Sequence, residues 1–326
     1  MSDLPGWSRW MGWTALALAG GVVAGPFLLP LPELETVPPR RLAGRDDHFA
    51  SLVGLDVRYR SVGAGANTYL LLHGFGASSR SWDPVMERLS SRGRVVAFDR
   101  VGFGLTERPL EWKGQNPYGG TAQVELAFAL MEELAIDRAV VIGHSAGAET
   151  AVGLAVAHRE RISGLVLESP ALDRGPGPVV RSLSTTPQGQ RIIRFVGRKA
   201  ADRLEEILRA AYHDPSRISD QTLEGYRESL RADGWDVGLA LFTAAQRLGS
   251  SRQALRRLRI PILFVSGDDD TWVPTADTTA LAAAVTSADL AIVSGCGHVA
   301  HEECPDRFVT ALTDWLERLD AKHPDA

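Results

Sequence analysis

The chain has 326 residues, 44% hydrophobic and 23% charged, which is ordinary globular composition and enough for one large domain or two modest ones. A net charge of -5, from 35 basic and 40 acidic side chains, excludes a surface built for nucleic acid. The 32 glycines and 18 prolines follow no repeat, which excludes collagen-like and solenoid folds, and two cysteines outside any Cys-x-x-Cys pair exclude a structural zinc site.

Residues 10–32 carry no charge, and a helix over 13–31 is about 28 Å long, close to the hydrocarbon thickness of a bilayer. Trp7, Trp10 and Trp13 stand where an interfacial aromatic belt is expected, whereas Pro26, Pro30 and several glycines interrupt the helix. The segment is read as membrane-linked, an anchor or uncleaved signal. A cleaved signal peptide and an apolar arm packed on the domain, with the protein cytoplasmic, are the alternatives. Arg40, Arg41 and Arg45 follow the run, so charge leaves its topology open. Residues 33–45, rich in proline and charge, read as a linker that closes a first region, 1–45.

Next come apolar runs predicted as strands at 52–59 and 68–72, joined by the turn 63–67, and then at 95–98, 139–142, 162–167, 262–265 and 290–293. Helical patterns at 121–134, 146–158, 275–285 and 305–319 lie between and after them. Continuously apolar strands alternating with helices predict an α/β fold, a mostly parallel sheet with helices on both faces. Its two parts are 46–170 and 259–326. Between them, 171–258 shows no strand and predicts helices at 200–213, 219–232 and 237–248, an inserted helical cap. That stretch carries 15 basic and 10 acidic side chains, so it is positive where the whole chain is negative. A solvated helical face explains this, and attraction to anionic lipid or an acidic substrate is the functional alternative.

In open parallel sheets the chemistry gathers just beyond the carboxyl ends of the strands. There the sequence places Gly143-His144-Ser145-Ala146-Gly147, a Gly-x-Ser-x-Gly motif between a strand and a helix. Such a turn strains the serine backbone and presents its hydroxyl. A serine needs a base to take its proton, and the base needs a carboxylate to orient it. Both follow in order: Gly267-Asp268-Asp269-Asp270 with Pro274 after one strand, then Gly295-Cys296-Gly297-His298 after the next. Upstream, His73-Gly74-Phe75-Gly76 offers backbone N–H groups for an oxyanion hole.

On these motifs, with Asp99-Arg100-Val101-Gly102-Phe103-Gly104, residues 46–320 resemble the α/β-hydrolase superfamily. The resemblance implies Ser145 as nucleophile, Asp270 as acid and His298 as base, with the N–H groups of Phe75 and Ala146 as oxyanion donors. It also implies that the helical insertion is the family's cap. Asp270 is chosen for its spacing to Pro274, and Glu168, at the end of another strand, is the alternative acid. Asp268 and Asp269 are expected to cap their loop, His301 to make a structural polar contact, His144 to pack, His73 to bond within its own loop, and Asp99 and Arg100 to brace the floor. Phe75, Phe103, Trp235 and Trp272 are candidates for an apolar substrate pocket. Cys296 and Cys304 are expected as reduced thiols, with a disulfide as the alternative in an exported protein.

The leading expectation is hydrolysis of a carboxylic ester, lipid-like or monoacylglycerol-like, with no metal and no organic cofactor. Its partner is a small-molecule ester, with membrane association through residues 10–32. Carbon–carbon bond hydrolysis and acyl transfer or perhydrolysis are the alternatives. Carbon–carbon hydrolases of this fold usually carry a Trp after the catalytic His, where this chain has Val299. A non-catalytic binding protein of the same fold is the reading from another class.

Overall fold

Eight strands form one sheet: β1 (His48–Leu52), β2 (Leu55–Val62), β3 (Thr68–Leu72), β4 (Arg94–Phe98), β5 (Ala139–His144), β6 (Ile162–Glu168), β7 (Ile262–Gly267) and β8 (Ala288–Val293). This computed structural model describes residues 25–28, 30–175, 177–245, 247–286 and 288–322, so most of the segment read as membrane-linked lies outside the described residues. The strand order is β1-β2-β4-β3-β5-β6-β7-β8, with β2 antiparallel to β1 and β4 and all other pairs parallel.

Side chains alternate across the sheet because successive residues of a strand face opposite ways. Tyr69 and Leu71, Val95 and Ala97, Leu263 and Val265 enter one core, while Leu70 and Leu72, Val96 and Phe98, Ile262 and Phe264 enter the other. Helices cover both faces, as a parallel sheet requires. After a single turn α1 (Pro39–Leu42), the second core is closed by α3 (Gly120–Glu133) and α4 (Gly147–Ala157) and the first by α2 (Asp83–Ser90), around Trp82 and Val85.

The strand expected at 52–59 is two strands of a hairpin. Val53 and Gly54 turn between them with φ of 46° and 81°, a pair of positive values suited to a tight hairpin. The turn at 63–67 joins no hairpin, because β4 lies between β2 and β3.

Between β6 and β7 lie α5 (Pro178–Ser184), α6 (Pro187–Ala201), α7 (Leu204–Ala211), α8 (Asp220–Arg231), α9 (Trp235–Ala244) and α10 (Ser251–Leu255). The helix expected at 200–213 is interrupted, with α6 ending at Ala201 and α7 beginning at Leu204. Two helices stand before it, both starting with proline in the first turn, and Thr186 caps α6 by accepting from the Gly189 N–H. After β7 come α11 (Thr275–Ala283), α12 (Ala300–Glu303) and α13 (Pro305–Lys322).

The stretch read as a linker is packed instead. Val37 forms a parallel bridge with Ala232 of the cap, giving its N–H to the Arg231 carbonyl at 2.9 Å, because its backbone finds unpaired partners at the end of α8. Asp47 is buried beside Arg58, 3.0 Å away, and Arg58 also meets Asp99 at 3.1 Å and Glu228 of α8 at 2.7 Å. Burial pushes the Arg58 guanidinium down, but the three carboxylates outweigh it and hold its pKa above the ordinary value. Breaking a buried pair from one side strands the remaining charges. Arg58→Ala is therefore expected to lower stability by about 3–5 kcal/mol in urea unfolding.

Candidate active site

Ser145 stands at the turn between β5 and α4 with φ of 50°, a left-handed conformation that a serine adopts only where its surroundings impose it. Its N–H donates to the Glu168 carbonyl at 2.9 Å, and its own carbonyl accepts from Ala148 and Ala171 at 3.1 Å. The flanking glycines allow the close approach: a Cβ on Gly147 would lie 2.4 Å from the Leu72 carbonyl oxygen, and one on Gly143 2.7 Å from the Ala148 Cα.

From this turn a chain of hydrogen bonds runs through the selected side chains. His298 Nε2 is 3.1 Å from Ser145 Oγ, and His298 Nδ1 lies 3.1 and 3.0 Å from the two Asp270 oxygens. A carboxylate only accepts, so Nδ1 carries the proton and Nε2 is bare toward the serine. Asp270 also accepts from the Trp272 and Val273 N–H groups at 3.0 and 2.9 Å. Burial raises its pKa, but the hydrogen bond and charge of His298, together with the Val273 amide and the Ser169 hydroxyl, hold it below the ordinary carboxylate value. Asp268 instead accepts from the Gly295 and Cys296 N–H groups, and Asp269 meets His213 at 2.9 Å on the surface.

Glu168 faces away from His298 and belongs to a second, buried array. It pairs with His301 Nδ1 at 2.8 Å and accepts from the His301 N–H at 3.0 Å. His301 Nε2 lies 3.6 Å from Glu302, which accepts from Tyr212 and Tyr226 of the cap at 3.0 and 2.7 Å. Burial pulls His301 down, yet the charge of Glu168 and the bond to it raise its pKa. His144, Glu168 and His301 set donor atoms within 4.8 Å of one another; Glu168 and His301 pair with each other, and His144 donates from Nε2 to the His298 carbonyl at 3.1 Å while its Nδ1 has no hydrogen-bond partner among the described residues.

The loop carrying His298 is clamped from both sides. Glu303 accepts from Gly297 at 2.7 Å and from His213 and Asp214 of the cap at 3.0 and 2.7 Å, and the His298 N–H donates to the Ala211 carbonyl at 2.7 Å. Cys296 and Cys304 form a disulfide, which corrects the expectation of two thiols. The loop folds back so that their Cα atoms are 6.4 Å apart, within bridging range. Sequence reading passed over Glu302, Glu303, Tyr212 and Tyr226. The one available signal was a run of buried-type spacing, His298, His301, Glu302, carrying ionisable groups.

His73 donates from Nδ1 to the Gly74 carbonyl at 2.8 Å and accepts the Arg100 N–H at Nε2 at 3.0 Å, so it ties its own loop to the next. Asp99 takes the Ser79 and Leu105 N–H groups, each at 2.7 Å, and Arg100 donates to the Gly74 carbonyl at 3.2 Å. A Cβ on Gly74 would lie 3.3 Å from Ser145 Cβ, which places the Phe75 segment against the serine. Ala146 follows Ser145 directly at the start of α4, where helix N–H groups point outward.

Ser145 and His298 open on a cavity of about 400 Å3. Phe75, Phe103, Trp235 and Trp272 all line it, with Leu204 and Leu208 of the cap; among the described residues Arg108 is the one guanidinium on its wall. Arg108 is already bonded to the carbonyls of Gly104 and Thr106. A larger cavity of about 630 Å3 lies beyond Tyr226 and contains neither Ser145 nor His298.

A family model described as alpha/beta hydrolase fold matches residues 68–305, and the chain belongs to that family. It is 27% identical over 278 residues to a 2-hydroxymuconate semialdehyde hydrolase of a Pseudomonas species, covering 82% of this chain and 93% of the relative. It is 28% identical over 276 residues to a 2-hydroxy-6-oxo-2,4-heptadienoate hydrolase of Pseudomonas putida, covering 82% and 95%. A thermophilic esterase from Thermogutta terrifontis superposes with a TM-score of 0.68 at 21% identity, over 83% of this chain and 98% of that one, a likeness of fold. Among the described residues no helix is long and apolar enough to cross a membrane.

Two outcomes follow from the local chemistry. Native protein is expected to show no free thiol without reductant, and Cys304→Ser to cost about 2–3 kcal/mol, the value for closing so short a loop. Burial first, and the Arg100 charge next, hold His73 down to about 3 from an ordinary 6.5. Below pH 6.5 the unfolded chain therefore takes a proton that the folded chain refuses, and stability falls by about 1.4 kcal/mol per pH unit from this group. His73→Gln is expected to flatten the acid limb of a stability–pH curve between pH 6.5 and 4.

Proposed function

We propose that Ser145, His298 and Asp270 are the catalytic triad of a hydrolase, and that the bond it breaks joins an acyl carbon to a carbon leaving group. The carrying observation is the hydrogen-bonded chain from Asp270 through His298 to Ser145 at the mouth of a cavity. The choice of bond rests on the relatives, whose names are those of a semialdehyde hydrolase and an oxo-heptadienoate hydrolase.

His298 Nε2 takes the Ser145 proton as Oγ adds to the substrate carbonyl carbon, and the Phe75 and Ala146 N–H groups receive the charge that forms on oxygen. Collapse of that adduct expels carbon, which leaves with the electron pair only if a conjugated carbonyl draws the charge away from it. The proton on His298 goes to that carbon. Water, deprotonated in turn by His298, opens the acyl-serine to a carboxylic acid, so one water is consumed and two products leave. Asp270 keeps the imidazole oriented and balances its charge during both halves.

Ester hydrolysis is the second reading, favoured by two features of this site. The residue after His298 is Val299, which lines the cavity, and the walls are otherwise largely apolar. With an ester the same steps deliver the proton to an alkoxide oxygen, and no electron sink is needed.

A paired assay separates the two readings. Wild type and Ser145→Ala are compared on a 2-hydroxy-6-oxo-dienoate and on p-nitrophenyl esters from acetate to palmitate. The expected result is a higher kcat/KM on the dienoate, and a loss of about a thousandfold or more in the variant on every substrate turned over. A dienoate left intact while esters are cleaved replaces the first reading by the second, and full activity in Ser145→Ala removes the triad assignment itself.

A further inference from the structure

Two helices of the cap, α5 and α6, expose apolar side chains to solvent. Val179, Val180 and Leu183 of α5 and Ile192 and Val196 of α6 are between 45% and 74% exposed. The two helices pack on one another. On α6, Ile192, Val196 and Lys199 are spaced four and three apart, which is one helix face, whereas Gly197, Ala200 and Ala201 of the same helix line the catalytic cavity. A single helix thus separates the cavity from this apolar surface. Scattered exposed apolar residues need no explanation, but a cluster of five on two adjoining helices does.

Charge identifies what covers it. Between residues 178 and 201 stand Arg181, Arg191, Arg194, Arg198 and Lys199, with no acidic residue. Asp236 of α9 is shared by Arg194 and Arg198, at 2.7 and 2.9 Å, so this pair keeps a net positive charge. A second copy of the same face would set like charge against like. An anionic lipid surface accepts both the exposed aliphatic groups and the basic ones, which is the composition of helices that lie in a bilayer interface.

Chain continuity points the same way. The described end of the uncharged run at 10–32 lies on α6: Arg191 Nε donates to the Pro26 carbonyl at 2.7 Å with its guanidinium 5.7 Å from the Phe27 ring, and Arg198 donates to the Pro32 carbonyl. Phe27 and Leu28 are themselves exposed beside these helices. We propose that α5 and α6 form a docking surface for an anionic lipid bilayer, seated on the membrane with the catalytic cavity directly behind α6. This assignment is independent of which bond the enzyme breaks.

The test uses the full chain and vesicles of phosphatidylcholine with or without phosphatidylserine. Co-sedimentation is expected with the anionic vesicles and to weaken with salt. Ile192→Asp with Val196→Asp is expected to reduce that binding more than about tenfold, and Arg181→Gln about fivefold, with unchanged circular dichroism showing that the variants fold. Because the two native cysteines are bridged, Val180→Cys supplies a single thiol for a polarity-sensitive fluorophore, whose emission is expected to shift to the blue on anionic vesicles. Wild-type binding that these substitutions leave unchanged, together with an unshifted label, assigns membrane contact to the amino-terminal segment alone and overturns the proposal. Absence of binding, or loss of a dimer in the aspartate variant, overturns it as well.

Discussion

A serine at φ 50° between two glycines is the constraint on which the rest of the structure depends. Holding a side chain there costs on the order of 1–2 kcal/mol, so neighbouring elements must impose it. Glu168, the last residue of β6, and Ala171 just beyond it bind the serine backbone from one side, and the close fit of Gly147 against β3 fixes the other. Parallel strands end on one edge of the sheet, so β7 and β8 bring Asp270 and His298 to the same rim. The cap then closes over that rim and supplies most of the apolar wall.

Much of this was legible in the chain. Strands β3 to β8 are short runs of apolar, mostly branched residues, and each motif follows one of them, so position along the chain translated directly into position on the sheet rim. Asp270 was separable from its two neighbours by its spacing to Pro274. The hairpin at Val53 was not legible, because an apolar residue occupied a turn position normally marked by Asn or Asp. The first two helices of the cap were not predicted: α5 and α6 open at Pro178 and Pro187, and proline favours the first turn of a helix as readily as it ends one. The buried pairs Arg58–Glu228 and Glu168–His301 join residues 170 and 133 apart in the chain, and no local pattern marks such partners. The cysteines were read as two thiols and are a disulfide, since bridging depends on how the histidine loop folds back and no local pattern marks that.

The buried charges have a consistent logic. Three of them meet opposite charge or donors: Arg58 three carboxylates, His301 both Glu168 and Glu302, and Glu302 two tyrosine hydroxyls. Burial raises the pKa of Glu302 while His301 and the tyrosines oppose it. Arg58, His301 and Glu302 do not line the cavity onto which Ser145 and His298 open. They leave the cavity itself nearly free of charge, with Arg108 the one guanidinium on its wall among the described residues.

Glu302 and Glu303 follow His298 by only a few residues, yet their carboxylates hold the cap at Tyr212, His213, Asp214 and Tyr226. The helices that line the cavity and the loop that carries His298 are therefore one mechanical unit. In many enzyme scaffolds a specificity region can be exchanged as a module. Here a transplanted cap would have to bring the matching hydroxyls and backbone donors, or it would unseat the loop that carries His298. Residues 211–226 and 297–303 form a single cassette, to be inherited or redesigned together.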